Sequence, residues 1–525
     1  MPPTIPGPQP GVTSCDPKER RTAVKRMFVA PDPGLFRLRN STRAVLGIGL
    51  AVTTTALAGF PLTACLTGGL AALLALFTVT DTTVRAQAVT TALLPAVGLP
   101  VLALATALHA QPLARDAAFL AVAFAGVWAR RWGVRGNTLG IFAFMTYFVV
   151  QFLRTGTEQF PVLAAAVTLS LAVAALTRFV LWPLDRSSPP PALPGERDAP
   201  GLRRVSLRLA CQTTAACAFA LGVGQAVSAE RWYWAVGAAW WIFVNTASRG
   251  ETLVRGFRRV AGTVLGIGAG MLVALPLDGA LPATVPAAAV CVFLIFYTAP
   301  VSYSWMMFAV TVLVGLLYGL MGLLHPGLFA LRLTETAVGA LGAGLAVALV
   351  LPVTTHAATV DWIHRTLECV RECAVQAGRR AAGDPAADPA RPAAELAPLL
   401  ARARMALAPL LHPLNPLRAR QARARRIMAL LDECAVRVRA LADELAAPGS
   451  EAGTEAGTAR NVGVVAACAR VETAVMALLA SAEPPPPAAE PDPHPALVQL
   501  HGLEAALARL AAPLHASPDA PVTAA

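Results

Sequence analysis

Lysine is almost missing from this 525-residue chain: Lys18 and Lys25 are the only two, so arginine carries nearly all of the net charge of +12. A phosphate-binding GxxxxGK[ST] loop therefore cannot lie beyond position 25, and the apolar part of the chain has no lysine for a Schiff base. Charge of either sign is scarce, 14% of residues against roughly 25% in a soluble protein. The nine cysteines include no CxxC. Cys369 and Cys373 share a helix face, but no nearby second pair of Cys or His completes a zinc site, so they read as small buried thiols. HExxH, GxSxG and paired-Asp signatures are lacking too. These gaps argue against ATP-driven transport by this chain alone, against an enzyme, and against any metal or cofactor. No apolar run follows the first methionine closely, so no cleaved signal peptide is expected.

What the chain does have is long apolar runs, concentrated in 44–352, while 1–43 and 353–525 hold most of the charge. A membrane span needs about 20 apolar residues. About twelve segments qualify. One set is 44–60, 62–80, 88–108, 117–129, 136–153 and 160–182; the other is 205–228, 232–247, 260–277, 280–299, 302–324 and 328–351. Two of them, 117–129 and 232–247, are short enough to be half-spans or tilted pieces. Arginine is one-sided: 81–87, 130–135, 183–204 and 248–259 carry most of it, and the alternate loops hold only Arg115, Arg154 and Arg231. The positive-inside bias then places both termini in the cytoplasm of a multi-pass protein of the cell membrane.

The Pro-rich stretch 183–204 separates two halves that share a pattern. Asp81-Thr82-Thr83-Val84-Arg85 resembles Glu251-Thr252-Leu253-Val254-Arg255, each following the second span of its half; 251 − 81 and 255 − 85 are both 170. Pro183 and Pro352 each close a sixth span. An even number of spans per half makes the two repeats parallel. The expected fold is all-α: two parallel repeats of about six transmembrane helices and a cytoplasmic helical-bundle tail. Its divisions are a basic cytoplasmic arm (1–43), a first repeat (44–182), a linker (183–204), a second repeat (205–352), a helical domain (353–512) and a disordered tail (513–525).

The second half carries the motifs. It holds Tyr233-Trp234 after a short turn, Arg259-x-x-Gly262-Thr263-x-x-Gly266 opening a helix, and Arg332-x-x-Glu335 in a late helix with Gly339, Gly342 and Gly344. Together these resemble the integral membrane module of the fusaric acid resistance and aromatic acid exporter families over about 205–352, whereas 88–97 lacks the Arg-Gly-Thr-Gly run and contains Pro95. The resemblance implies efflux of small organic acids, aromatic carboxylic acids foremost, across the cytoplasmic membrane by a proton-driven secondary transporter. A passive organic-anion channel and a membrane scaffold with a partner-binding tail are the alternatives. Partners expected are the lipid bilayer and a small organic anion, with homo-oligomerisation left open and no nucleic acid.

Physical chemistry sorts the candidate residues. Gly262, Gly266, Gly339 and Gly342 permit close helix approach. Arg332 and Glu335, three apart, share one helix face and can form an internal pair. A charge at the bilayer centre costs about 2.5 to 3.5 kcal/mol on insertion scales, so such a pair suggests a wet or ligand-binding interior. Arg332 would attract a carboxylate and Glu335 position it or take up a proton; Arg259, Thr263, Trp234 and Asn245 are the further pathway candidates. Gln212, Trp240, Trp241, Tyr303 and Trp305 are weaker ones, and His109 and His325 are expected to be solvated at outer ends.

Overall fold

A computed structural model describes residues 35–180, 205–244, 246, 249–351, 355–411, 418–446, 455–487 and 494–515. The arm before residue 35, the linker 183–204 and Asn245 lie outside them. The described chain is helical throughout, with no strand among the described residues. Six helices precede the linker: α1 Phe36–Leu57, α2 Leu62–Thr78, α3 Val84–Ala107, α4 Pro112–Trp128, α5 Gly133–Leu153 and α6 Phe160–Val180. Six follow it: α7 Val205–Val227, α8 Tyr233–Phe243, α9 Arg249–Leu277, α10 Leu281–Thr298, α11 Tyr303–Leu320 and α12 Pro326–Leu349. Five more complete the described chain: α13 Thr355–Ala381, α14 Ala390–Leu411, α15 Arg418–Ala446, α16 Glu455–Leu479 and α17 Pro495–His515.

Nine described helical segments are long and apolar enough to cross a membrane. One of them, Asn461–Leu479, is part of α16, and another, Pro112–Leu153, joins α4 and α5 through the 3-10 turn Ala129–Trp132. Outward faces of α1, α3, α6, α9 and α10 are apolar, as Leu50, Leu104, Leu176, Leu265, Leu272 and Val290 show by their exposure. A soluble protein would not display so much aliphatic surface along successive helices. Their solvent is lipid: this is a polytopic membrane protein.

Helix ends depart from hydropathy in an instructive way. α1 begins at Phe36, so the charged residues of 36–43, expected in the arm, are helical. α9 begins at Arg249 and takes in most of 248–259, expected as a loop. Hydropathy marks where lipid stops, whereas backbone hydrogen bonds carry a helix on into water. α8 is only 11 residues long and leaves the helix through Val244, whose backbone is extended. α3 continues through Pro95 and Pro100. At the far end α17 runs to His515, and Arg423 donates to the carbonyls of Pro513 and Leu514, so the expected disorder from 513 does not begin there.

The two sets of six assemble by the same pairings. In the first, α1 packs on α2 and α6, α2 on α6, α3 on α5 and α6, and α4 on α5. In the second, α7 packs on α8 and α12, α8 on α12, α9 on α11 and α12, and α10 on α11. The sets join reciprocally, α4 against α7 and α10 against α1. Asp116 accepts a hydrogen bond from Gln225 at 2.7 Å across one junction, and Arg154 pairs with Glu230 at 2.9 Å.

A separate apolar core fills α13 to α17. Cys369, Cys373, Cys434 and Cys468 are buried in it, and burial pushes each thiol up to about 12. Cys369 and Cys373 donate to the carbonyls of Pro392 and Pro389, fastening the turn before α14. They are packing groups with a weak hydrogen bond, not nucleophiles. This unit meets the membrane body where α14 and α13 pack on α9.

Candidate functional site

Small residues set up the site. Gly262 and Gly266 bring α9 against α11, where an added methyl group would strike the Ser304 carbonyl and the Thr311 side chain. Gly339 and Gly342 do the same for α12, which lies against Ala235 and Ala238 of α8 and against Ala216 and Phe219 of α7. Arg259, Gly262, Thr263 and Gly266 fall on one buried face of α9; Arg332, Glu335, Gly339 and Gly342 fall on one buried face of α12.

Arg332 does not reach solvent at the helix end. It is 7% exposed, and its guanidinium carbon sits 3.7 Å from the centroid of the Trp234 ring. Nor does it pair with Glu335: no ion pair joins them. Both Glu335 oxygens are buried without a hydrogen-bond partner, as are Arg332 Nε and Nη1. The expected internal pair is therefore corrected. One face was right, but the stack on Trp234 turns the guanidinium aside, which helix spacing cannot reveal.

Around them lies an aromatic shell. Trp234 Nε1 donates to the Tyr318 hydroxyl at 2.8 Å, and the Tyr233 and Tyr318 hydroxyls are 3.4 Å apart. Arg231 lies 5.0 Å from the Tyr318 centroid. From the first set of helices, Phe148 and Phe152 of α5 reach Trp234 with centroids at 5.2 and 5.5 Å. Arg259, also buried, donates to the Tyr303 hydroxyl and to Met307 Sδ, each at 3.1 Å, and leaves Nε without a partner. Arg332 is within electrostatic reach of Arg259, Glu335, Tyr233 and Tyr318. The guanidinium groups of Arg332 and Arg259, the Glu335 carboxylate and the rings of Tyr233, Trp234 and Tyr318 thus converge inside an apolar body. They can hold an anion by charge and donor groups, offer an aromatic wall to a flat ring, and accept a proton at Glu335.

The remaining candidates are scattered. Thr263 is buried on α9 beside the glycines. Trp240 stacks on Phe144 at 4.1 Å, Trp241 donates to Met145 Sδ, and Trp305 is exposed on the outer surface. Gln212 Nε2 donates to the carbonyls of Val350 and Leu351, tying α7 to the end of α12. His109 is half-buried rather than solvated; its Nδ1 has no partner, and burial, then Arg115 and Arg154, lower its pKa. Tyr318, Phe148 and Phe152 were not singled out in sequence, because an aromatic in an apolar run looks the same whether it faces lipid or a site. Arg178 was also missed. It is 3% exposed and donates to the carbonyls of Ala75 and Val79 at 2.8 and 2.9 Å, closing the end of α2.

Among the described residues no cluster of three His, Cys, Asp or Glu could hold a metal ion. No curated protein matches the chain. Residues 216–354, from within α7 to just past α12, match the family model described as Fusaric acid resistance protein-like; the motif resemblance holds, and the half of the body that carries Arg259, Arg332 and Glu335 is similar to a membrane transport module related to efflux.

Proposed function

We propose that the protein is a secondary efflux transporter of small organic acids, aromatic carboxylic acids above all, driven by protons across the cell membrane. One observation carries the reading: Arg332 and Glu335 are buried together in an apolar body, unpaired, with an indole face on the guanidinium. Unpaired buried charges are costly, and in membrane proteins they mark ligand or proton pathways. The substrate carboxylate meets Arg332 and Arg259, its ring lies among Trp234, Tyr233 and Tyr318, and Glu335 takes up a proton as the anion leaves or arrives. The matching helix pairings support a duplicated body of twelve spans in two parallel repeats, a common basis for alternating access. The positive-inside bias puts both termini, and α13 to α17, in the cytoplasm.

The test is efflux from proteoliposomes under an imposed pH gradient, with benzoate, hydroxybenzoates and fusaric acid as substrates. Arg332→Ala and Glu335→Gln are compared with the unaltered protein at equal reconstituted amounts. A loss of about a hundredfold in both is expected, equivalent to about 2.7 kcal/mol. Unaltered rates in both variants would overturn the assignment.

A further inference from the structure

The repeated pentapeptide ends differently in the two halves. Glu251, in the first turn of α9, lies within electrostatic reach of Arg402 on α14, the helix packed on that end of α9. Asp81, its counterpart after α2, makes no ion pair with any of the described residues: it is 9% exposed, and its Oδ2 has no hydrogen-bond partner. The segment around it is built rather than loose. Gln87 Nε2 donates to the Asp81 carbonyl at 2.7 Å, Thr138 to the Thr78 carbonyl at 2.8 Å, and Arg178 to Val79.

Asp81 lines a recess of about 470 Å³ together with Trp132, Val134, Arg135, Gly136 and Leu139. Arg135 is fixed by its Nε bond to Thr90 Oγ1 at 3.1 Å and makes no ion pair with Asp81, although both face the same space. A carboxylate and a guanidinium held apart on one wall are complementary to a zwitterion. The mouth is interfacial: Trp132 is 61% exposed, and the Arg131 guanidinium is stacked on Trp128 at 3.6 Å and Trp132 at 4.3 Å. Indole and arginine side chains of this kind sit at the headgroup level of a bilayer. Val134 and Leu139 give the recess an apolar side.

We infer that this recess binds the phosphoethanolamine headgroup of a membrane phospholipid, its ammonium on Asp81, its phosphate on Arg135 and Trp132 at the mouth. A primary ammonium is favoured over choline because it donates hydrogen bonds to a carboxylate, and a single indole is not the aromatic cage that a quaternary ammonium needs. The inference needs only the membrane body, so it stands or falls independently of the transported substrate.

The experiment uses full-length protein in detergent micelles, equilibrated with equimolar phosphatidylethanolamine, phosphatidylglycerol and phosphatidylcholine and read by native mass spectrometry. Unaltered protein should retain phosphatidylethanolamine about tenfold over the other two, the value of one charge-assisted hydrogen bond. Asp81→Asn should abolish that preference. Trp132→Ala, at an exposed position, should keep the elution volume and weaken retention of the same lipid severalfold. Equal retention of the three lipids, or unchanged preference in both variants with an unchanged elution volume, overturns the inference. So does displacement of the lipid by O-phosphoethanolamine at a concentration no higher than the lipid's own, which would make the ligand a soluble zwitterion.

Discussion

The two sets of six helices pair alike yet hold different chemistry at the same place. α6 and α12 occupy matching positions, and their buried residues fall into register with one offset: 332 − 163 and 347 − 178 both equal 169. Arg332 then stands where the first half has Leu163, Glu335 where it has Ala166, and Gly339 where it has Ser170. At the other end the relation inverts, Val347 against the buried Arg178. The small-residue contact between them is kept on both sides, since Gly68 of α2 meets Ala166 and Ser170 while Gly339 meets Ala235 and Ala238 of α8. Helix approach is thus common to both halves, and polarity is not. The first half spends its buried arginine on the carbonyl end of α2; the second half leaves its arginine and glutamate unmatched.

Ala166→Glu would break this contrast most severely. It places an acid at the first-half counterpart of Glu335, where Gly68 of α2 lies close against Ala166 and leaves little room. An unpaired buried charge costs about 3 to 5 kcal/mol, so most of the protein should fail to give a monodisperse peak on fluorescence-detected size exclusion. A normal peak would mean that the first half also has room for a polar interior.

Exchanging the two arginines for methionine separates structure from function. Arg178→Met removes two buried charge-assisted bonds to the carbonyls of Ala75 and Val79, and should lower stability by about 1 to 3 kcal/mol while efflux per folded molecule stays within about twofold. Arg332→Met should do the reverse, with the thermal midpoint kept or raised and efflux lost. Thermal melts and proteoliposome efflux on the same preparations read both.

The smallest effect is expected at Trp234→Phe. It retains a ring but removes the indole face under Arg332 and the donor to Tyr318. Half-saturating substrate concentration should rise about 3- to 10-fold, in line with a cation–π contact of about 0.5 to 2 kcal/mol, with little change in maximal rate. An equal change from substituting Ala64, in the first half's α2, would erase the distinction between the halves.

Much of this was legible in the residues. Apolar run length gave an all-helical membrane body, because a backbone in lipid must satisfy its own hydrogen bonds. The motifs around Tyr233-Trp234, Arg259 to Gly266 and Arg332-Glu335 pointed to the family that residues 216–354 match. Helix ends were less legible at 36–43 and 249–259, where charge was read as loop.

The sequence by itself determined which segments are apolar enough for lipid and which side chains share a helix face, since both follow from local composition and a 3.6-residue period. Only the tertiary structure decided whom those side chains meet. Arg332 stacks on an indole from α8 instead of pairing with Glu335 one turn along its own helix, Phe148 and Phe152 cross from the first half to complete the aromatic shell, and Asp81 faces Arg135 across a recess without touching it. Such partners are set by how close two backbones come, and that distance is fixed by glycines and alanines on several helices at once, which no single stretch of residues encodes.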